Sequence, residues 1–397
     1  MFGGRFCQKE KVSRQIAAAA QVPVIGDAEI VRAAAQQSGW DARQIRRAFS
    51  ADASVFDPVT REKEAATAHL RQALADRLND APLVIRGNTA LLVPRAVSHC
   101  LRVCLVAGRH HRVRVAADAG VPEKTAIETI IRTDADKAAW VRSRFNVSDP
   151  WDPSLFDRVI AMDRQPPAAA VATIVQAAAR SGRRPTPSSK QAVADFRLAA
   201  RIESLLVAHG HPVAVAVRKG DVTLTVNRHA MARRRLAADL REIVAAVAGV
   251  NRVAVTFRTN DSSAPVYRQI HFTSRARVLL VDDESEFVTT LAERLMLRDI
   301  CVAVVHNGHS ALAVIEKDKP EIIIVDLKMP GIGGMEVLRR VRKTRPETAV
   351  IVLTGHGSDK DREVCLNMGA FAYLQKPVEI EALTRVIRQA GDAVRAR

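Results

Sequence analysis

The sequence predicts an α/β protein of several domains that ends in a doubly wound, five-stranded parallel sheet. Three observations carry this. The chain has 397 residues, too many for one ordinary core and suited to about two to four domains. Polar, turn-forming stretches interrupt it at Ser181 to Lys190, "SGRRPTPSSK", and at Arg258 to Pro265, "RTNDSSAP", and both read as linkers. The last third alternates unbroken apolar runs with amphipathic stretches, the pattern of a parallel sheet covered on both faces by helices. The expected division is an α/β domain over 1–180, a linker over 181–190, a small α+β domain over 191–257, a linker over 258–275 and the doubly wound domain over 276–397.

In that last domain the strands are, in order, "RVLLVDD", "CVAVV", "EIIIVDL", "TAVIVLTG" and "AFAYLQK". The helices are Glu286 to Arg298, Ser310 to Lys317, Gly334 to Thr344, Asp359 to Met368 and Glu379 to Ala390. Such a sheet places its functional loops at the carboxyl ends of its strands. There stand Asp282 and Asp283 after the first strand, Asp326 after the third, Thr354 after the fourth and Lys376, before Pro377, after the fifth. Three carboxylates in one crevice repel one another unless a hard divalent cation neutralises them. A Mg²⁺ site follows, with the fixed positive charge of Lys376 beside it. A carboxylate so placed is a nucleophile toward a phosphoryl donor, and the Thr354 hydroxyl could hydrogen-bond the new phosphoryl oxygens.

The stretches "VLLVDDE", "IIIVDLKMPGIGGMEVL", "IVLTGHG" and "AYLQKP" resemble the receiver domains of bacterial two-component response regulators, over Ala276 to about Ala393. The resemblance implies a flavodoxin-like fold, Asp326 as phosphoacceptor, and Asp282 with Asp283 as the acidic pair, Asp283 the more direct metal ligand. It further implies the backbone carbonyl of Lys328 as a ligand, Thr354 and Tyr373 as the switch pair, Lys376 as the partner of the phosphoryl group, and a cis bond before Pro377. The phosphoryl donor would be a histidine kinase or phosphotransfer protein.

In the middle segment "HPVAVAVRKGDVTLTVN" alternates about Lys219-Gly220-Asp221, a hairpin signal. "MARRRLAADLREIVAAVAGVNRVAVTF" adds a helix and a third strand, and "FRLAARIESLLVAHG" supplies a helix in front. The order resembles the BON module, which implies binding or homodimerisation. Arg233, Arg234 and Arg235 could touch an anionic membrane surface, or they form a solvated helix face.

The first segment opens on "GGRFCQKEKVS", a faint phosphate-loop rhythm that keeps a first glycine and Lys9 but has Gln8 where the second glycine belongs. The downstream stretches "VIGDAEIVRAAAQQSGW", "LVIRGNTALLVPRAVSHCLRVCLVAGRHHRVR" and "GVPEKTAIETIIRTDADKAAWVRSRFNVSDPWDPSLFDRVIAMDR" resemble the cytidylate-kinase-like family of P-loop nucleoside monophosphate kinases. That resemblance implies a P-loop-kinase-like α/β domain and a nucleotide ligand. Asp27 would open the monophosphate-site helix, Arg86 would end a strand beside the loop, and Asp134 to Arg144 would form a lid carrying Lys137, Arg142 and Arg144. The family's "GSGG" falls on Phe6-Cys7-Gln8-Lys9, and no strand is legible before the loop, through a late start or real loss. A kinase-shaped domain with weak or no catalysis is the expectation.

Composition narrows the rest. The apolar runs are strand-length, so no segment reads as a membrane span, and the basic, polar beginning does not read as a signal peptide. Five cysteines without paired spacing suit reduced thiols and a cytoplasmic protein. Lys and Arg balance Asp and Glu from Ala276 onward, so the whole formal charge of +17 falls before it. Charge alone suggests a DNA-binding regulator, but no helix-turn-helix or basic-zipper pattern accompanies it, and nucleic acid is not expected. The leading expectation is a phosphorelay response regulator, and the alternative is a nucleoside monophosphate kinase gated by its receiver.

Overall fold

In the computed structural model, which describes residues 1–52, 54–57, 61–78, 81–180, 184–227, 233–258, 276–298, 300–355 and 357–396, Phe2–Gly3 forms a strand, β1. It pairs in parallel with Val103–Val106, Phe2 opposite Cys104 and Gly3 opposite Leu105. The strand that the sequence seemed to lack before the loop is therefore present, and at two residues it is too short to show any period.

The chain then runs through α1 (Lys9–Ala20), β2 (Val24–Gly26), α2 (Asp27–Ser38), α3 (Ala42–Arg46), α4 (Glu62–Ala75), β3 (Val84–Arg86) and β4 (Val103–Val106). It continues with α5 (Arg109–Asp118), α6 (Glu123–Phe145), β5 (Arg158–Ala161), α7 (Pro167–Arg180), α8 (Pro187–Ala208), β6 (Ala214–Arg218), β7 (Asp221–Val226), α9 (Arg233–Ala245) and β8 (Arg252–Phe257). One ladder runs β1-β4-β5 and another β2-β3, all parallel. Met1 N donates to Ile85 O at 2.6 Å and Gly87 N to Met1 O at 3.0 Å, which sets β3 beside β1. The strands thus follow the order β2-β3-β1-β4-β5.

By compactness the chain divides into two units, Met1–Asp52 with Glu62–Ile270, and Ala53–Arg61 with His271–Arg397. Within the first, α8 starts inside the stretch read as a linker. Pro187 fits a first helical turn, where no N–H is needed, and Thr186 caps it by accepting from Ser189 N. Phe196 and Ala200 of α8 share a core with Leu70 and Leu74 of α4. Lys219 and Gly220, both at positive φ, close the β6-β7 hairpin, and β8 adds in parallel to β7. The expected helix-strand-strand-helix-strand order is what forms. Of the second expected linker, residues 259–275 lie outside the described residues.

The second unit contains β9 (Arg277–Val281), α10 (Ser285–Met296), β10 (Cys301–Val305), α11 (Gly308–Asp318), β11 (Ile322–Val325), α12 (Gly334–Thr344), β12 (Ala349–Thr354), α13 (Asp359–Asn367), β13 (Ala372–Gln375) and α14 (Ile380–Arg395). Its sheet is parallel throughout, in the order β10-β9-β11-β12-β13. Successive strand residues feed opposite faces. Leu279, Val281, Ile323, Val325, Val350 and Val352 lie in one core with Val337, Leu338 and Val341 of α12. Val278, Leu280, Ile322, Ile324, Ile351 and Leu353 lie in the other with Leu291 of α10 and Leu383 and Ile387 of α14. Both faces being buried explains why these strands read as unbroken apolar runs. Among the described residues no helix is long and apolar enough to cross a membrane.

Candidate functional site

Where β9 and β11 stop, the chain changes from apolar to acidic, and the parallel sheet brings those ends side by side. Asp282 and Asp326 are buried, at 3% and 6% exposure. Lys376, after β13, reaches across, its Nζ at 2.7 Å from Asp282 Oδ2, 2.8 Å from Glu284 Oε1 and 3.4 Å from Asp326 Oδ2. The ammonium also lies 4.4 Å from the centre of the Phe287 ring. Burial works to lower the Lys376 pKa, but the hydrogen bonds to Asp282 and Glu284 and the nearby carboxylate charges outweigh it and raise it. Burial raises the Asp282 carboxyl against the opposing pull of Lys376. The peptide bond between Lys376 and Pro377 is cis, as expected.

One oxygen each of Asp282, Glu284 and Asp326 lie within 4.8 Å of one another. Oxygen donors so grouped fit a hard divalent cation such as Mg²⁺. Asp283, expected as the more direct ligand, is exposed, as is Glu284, and of the two it is Glu284 that lies in this grouping. Lys328 sits in the loop after β11, its N–H donating to Asp326 Oδ1 at 3.4 Å. Gly334, which opens α12, lies directly against the Asp326 carbonyl, where a Cβ would collide.

Thr354 is fully buried at the end of β12. Tyr373 lies on the neighbouring strand, opposite Val352, with its hydroxyl buried and without a hydrogen-bond partner among the described residues. Gly357, which the sequence reading did not single out, lies against that hydroxyl.

In the first unit the loop Gly4 to Gln8 leads from β1 into α1. Phe6 (φ 60°) and Gln8 (φ 55°) hold the left-handed conformation that glycine adopts without penalty, at two positions where the family pattern has glycines. Lys9 pairs with Glu10 at 3.4 Å. Asp27 Oδ1 accepts from Thr89 N and Oγ1, its Oδ2 from Asn88 N, at 2.8 to 2.9 Å. Lys137 Nζ donates to Asn88 Oδ1 at 3.2 Å and sits 5.1 Å from the Phe2 ring centre. Burial, then the charge of Lys9, lowers its pKa to about 8. Arg86 donates to Ser13 Oγ at 3.4 Å. Lys9, Asp27, Arg86 and Lys137 thus gather behind the loop.

Arg142 and Arg144 do not join them. Arg142 is exposed, and Arg144 donates to Thr67 Oγ1 at 2.6 Å and lies over Trp140. The stretch expected as the lid is helical. Asp134 to Arg144 falls within the continuous 23-residue helix α6, because no Gly or Pro interrupts it and Ala126, Ile130, Lys137, Trp140 and Val141 recur on its buried face.

Arg112 was missed. It is 5% exposed, donates through Nε to Arg5 O at 2.8 Å, and grips Asp134 with both terminal nitrogens at 2.6 and 2.8 Å. A Cβ at Gly4 would lie 3.1 Å from its guanidinium. That cation packs against a loop that carries side chains at Phe6 and Gln8. Beside it a cavity of about 190 Å³ is lined by Gly4, Cys7, Gly108, Trp151, Asp163 and Arg164, among others.

Residues 278–388 match the family described as response regulator receiver domain, and residues 3–164 match the cytidylate kinase-like family. The uncharacterized transcriptional regulatory protein YkoG of Bacillus subtilis is 37% identical over 29% of this chain and 51% of its own length. The photosynthetic apparatus regulatory protein RegA of Rhodobacter capsulatus is 31% identical over 30% of this chain and 64% of its own. A crystal structure of a response regulator receiver domain protein from Clostridium thermocellum shares 32% identity over 30% of this chain and 98% of its own, with a TM-score of 0.30. The chain spans about half or less of the length of the curated relatives first matched, YkoG and the transcriptional regulatory protein GlrR of Escherichia coli, at 51% and 26%. From the parallel β10-β9-β11-β12-β13 sheet, the acids at its strand ends and the two family matches, residues 278–388 are a response regulator receiver domain, carried on a chain whose first part is cytidylate-kinase-like.

Proposed function

We propose that the chain is a two-component response regulator whose receiver takes a phosphoryl group on Asp326 from a histidine kinase or phosphotransfer protein, and so changes what the first unit binds. The convergence of Asp326, Asp282 and Lys376 at one end of the sheet carries the reading. A carboxylate oxygen of Asp326 forms the new P–O bond as the donor's P–N bond breaks, and Lys376 stands beside the incoming charge. A Mg²⁺ ion held by Asp282, Asp283, Asp326 and the Lys328 carbonyl would supply further neutralisation of the phosphoryl oxygens. Thr354 would hydrogen-bond the bound group, and its neighbour Tyr373 would carry the change to the surface. The test is Mg²⁺-dependent labelling by acetyl phosphate, expected in the full chain and absent in Asp326→Asn. Labelling that persists in that variant overturns the assignment.

For the first unit the reading is a kinase-shaped binding domain with a nucleotide as its ligand and no transfer step. The module formed by α8, β6, β7, α9 and β8 would act, BON-like, in binding or homodimerisation. The match to the cytidylate kinase-like family favours a second reading, a nucleoside monophosphate kinase regulated by its receiver. ADP formed from ATP and CMP, and lost in Lys9→Ala, would replace the first reading with the second.

A further inference from the structure

Gly357 follows β12, three residues after Thr354, and Tyr373 lies on β13 with its hydroxyl buried and unpartnered among the described residues. A Cβ built on Gly357 would fall on the Tyr373 hydroxyl, 2.9 Å from Tyr373 Cζ and 3.1 Å from Thr354 Cγ2. Gly357 does not stand at positive φ, so its backbone would accept any residue. What excludes a side chain there is the space taken by the tyrosine.

We propose that Gly357 is a positioning residue of the receiver switch: its missing Cβ forms the slot that holds the Tyr373 ring inward, beside Thr354. This rests on the receiver reading and adds to it the residue that sets how readily the ring turns in. The slot is steric. The hydroxyl gains no hydrogen bond from a described residue there, and the ring, itself partly buried, packs against the buried cluster that contains Val350 and Val352. A methyl group at 357 removes that option and drives the ring out, or shifts the loop that carries Thr354's neighbours.

The test uses the full chain labelled with 3-fluorotyrosine. The chain has two tyrosines, so Tyr373→Phe assigns the Tyr373 fluorine resonance. In Gly357→Ala that resonance is expected to move toward the free amino acid position, and its broadening by a soluble paramagnetic agent is expected to rise several-fold. An unchanged shift and unchanged broadening overturn the proposal. Because Gly357→Ala could also weaken folding, the melting temperature is measured in a double-mutant cycle. The drop caused by Gly357→Ala should be at least halved in a Tyr373→Phe background, where the atom nearest to the added methyl is gone, and an equal drop in both backgrounds also overturns it. Acetyl phosphate labelling of Asp326 in the wild type separates the two claims. Its failure would remove the receiver reading while leaving the fluorine result as evidence on the slot.

Discussion

The ammonium of Lys376 lies 2.7 Å from the carboxylate of Asp282, with both side chains at or below 10% exposure. It is the one cation found between Asp282 and Asp326 among the described residues, and without it two buried carboxylates face each other. Breaking a buried pair by removing one partner costs about 3 kcal/mol. Lys376→Met is expected to destabilise the second unit by that amount in EDTA. Millimolar Mg²⁺ should return part of the loss, because an ion bound only by the folded state stabilises it. Urea unfolding with and without Mg²⁺ reads both effects.

Gly334 lies under the phosphoacceptor. Alanine in a helix gains about 1 kcal/mol over glycine in propensity, but at this position a Cβ meets the Asp326 carbonyl and comes within 3.0 Å of Leu327 Cα. These are backbone atoms and cannot rotate away. Overpacking of this kind costs about 1–3 kcal/mol, so the collision should win. Gly334→Ala is expected to lower the unfolding free energy by about 1 kcal/mol net and to weaken acetyl phosphate labelling by displacing Asp326. A neutral or stabilising result would show that the loop shifts at little cost.

His69 predicts an acid sensitivity of the first unit. It is 6% exposed, its Nδ1 lies 3.0 Å from Ser204 Oγ, and its ring meets Trp40 edge-on at 5.2 Å. Burial lowers its pKa from 6.5 to about 4. The folded state therefore holds the ring neutral where the unfolded chain protonates it. Stability is full above about pH 6.5 and falls as the pH drops toward 4. At 1.36 kcal/mol per pKa unit, roughly 2 kcal/mol is lost by pH 5 and about 3 by pH 4. His69→Phe should flatten the slope of unfolding free energy between pH 7 and pH 5, and an unchanged slope would assign the acid sensitivity elsewhere.

The receiver was legible because its chemistry sits where strands end, and strand ends are marked by the change from "VLLV" to Asp282 and from "IIIV" to Asp326. That Glu284 lies beside Asp282 and Asp326 was not, because that depends on how the chain leaves the sheet and not on composition. Gly357 was invisible for a related reason: its partner Tyr373 is sixteen residues away and joins it only through the β12-β13 pairing. In the first unit, β1 is too short for a pattern. The run "GRHHRVRV" gives no sign that Arg112, and not Arg109 or Arg114, is the residue that enters the interior.

Gln8 carries a test of whether the loop keeps a glycine's geometry without the glycine. It stands at φ 55°, ψ 22°, just before α1, and its side chain makes no capping hydrogen bond. The left-handed conformation costs a residue with a Cβ about 1–2 kcal/mol, and glycine pays roughly 0.5–1 kcal/mol in chain entropy on folding. The difference favours glycine, so Gln8→Gly should stabilise the first unit by about 0.5–1 kcal/mol. Gln15→Gly, on the exposed side of the same helix, should instead destabilise it by about 1 kcal/mol. Opposite signs in paired urea titrations are the expected outcome. If both substitutions cost the same, the Gln8 side chain makes a compensating contact, and the loop is not strained at that residue.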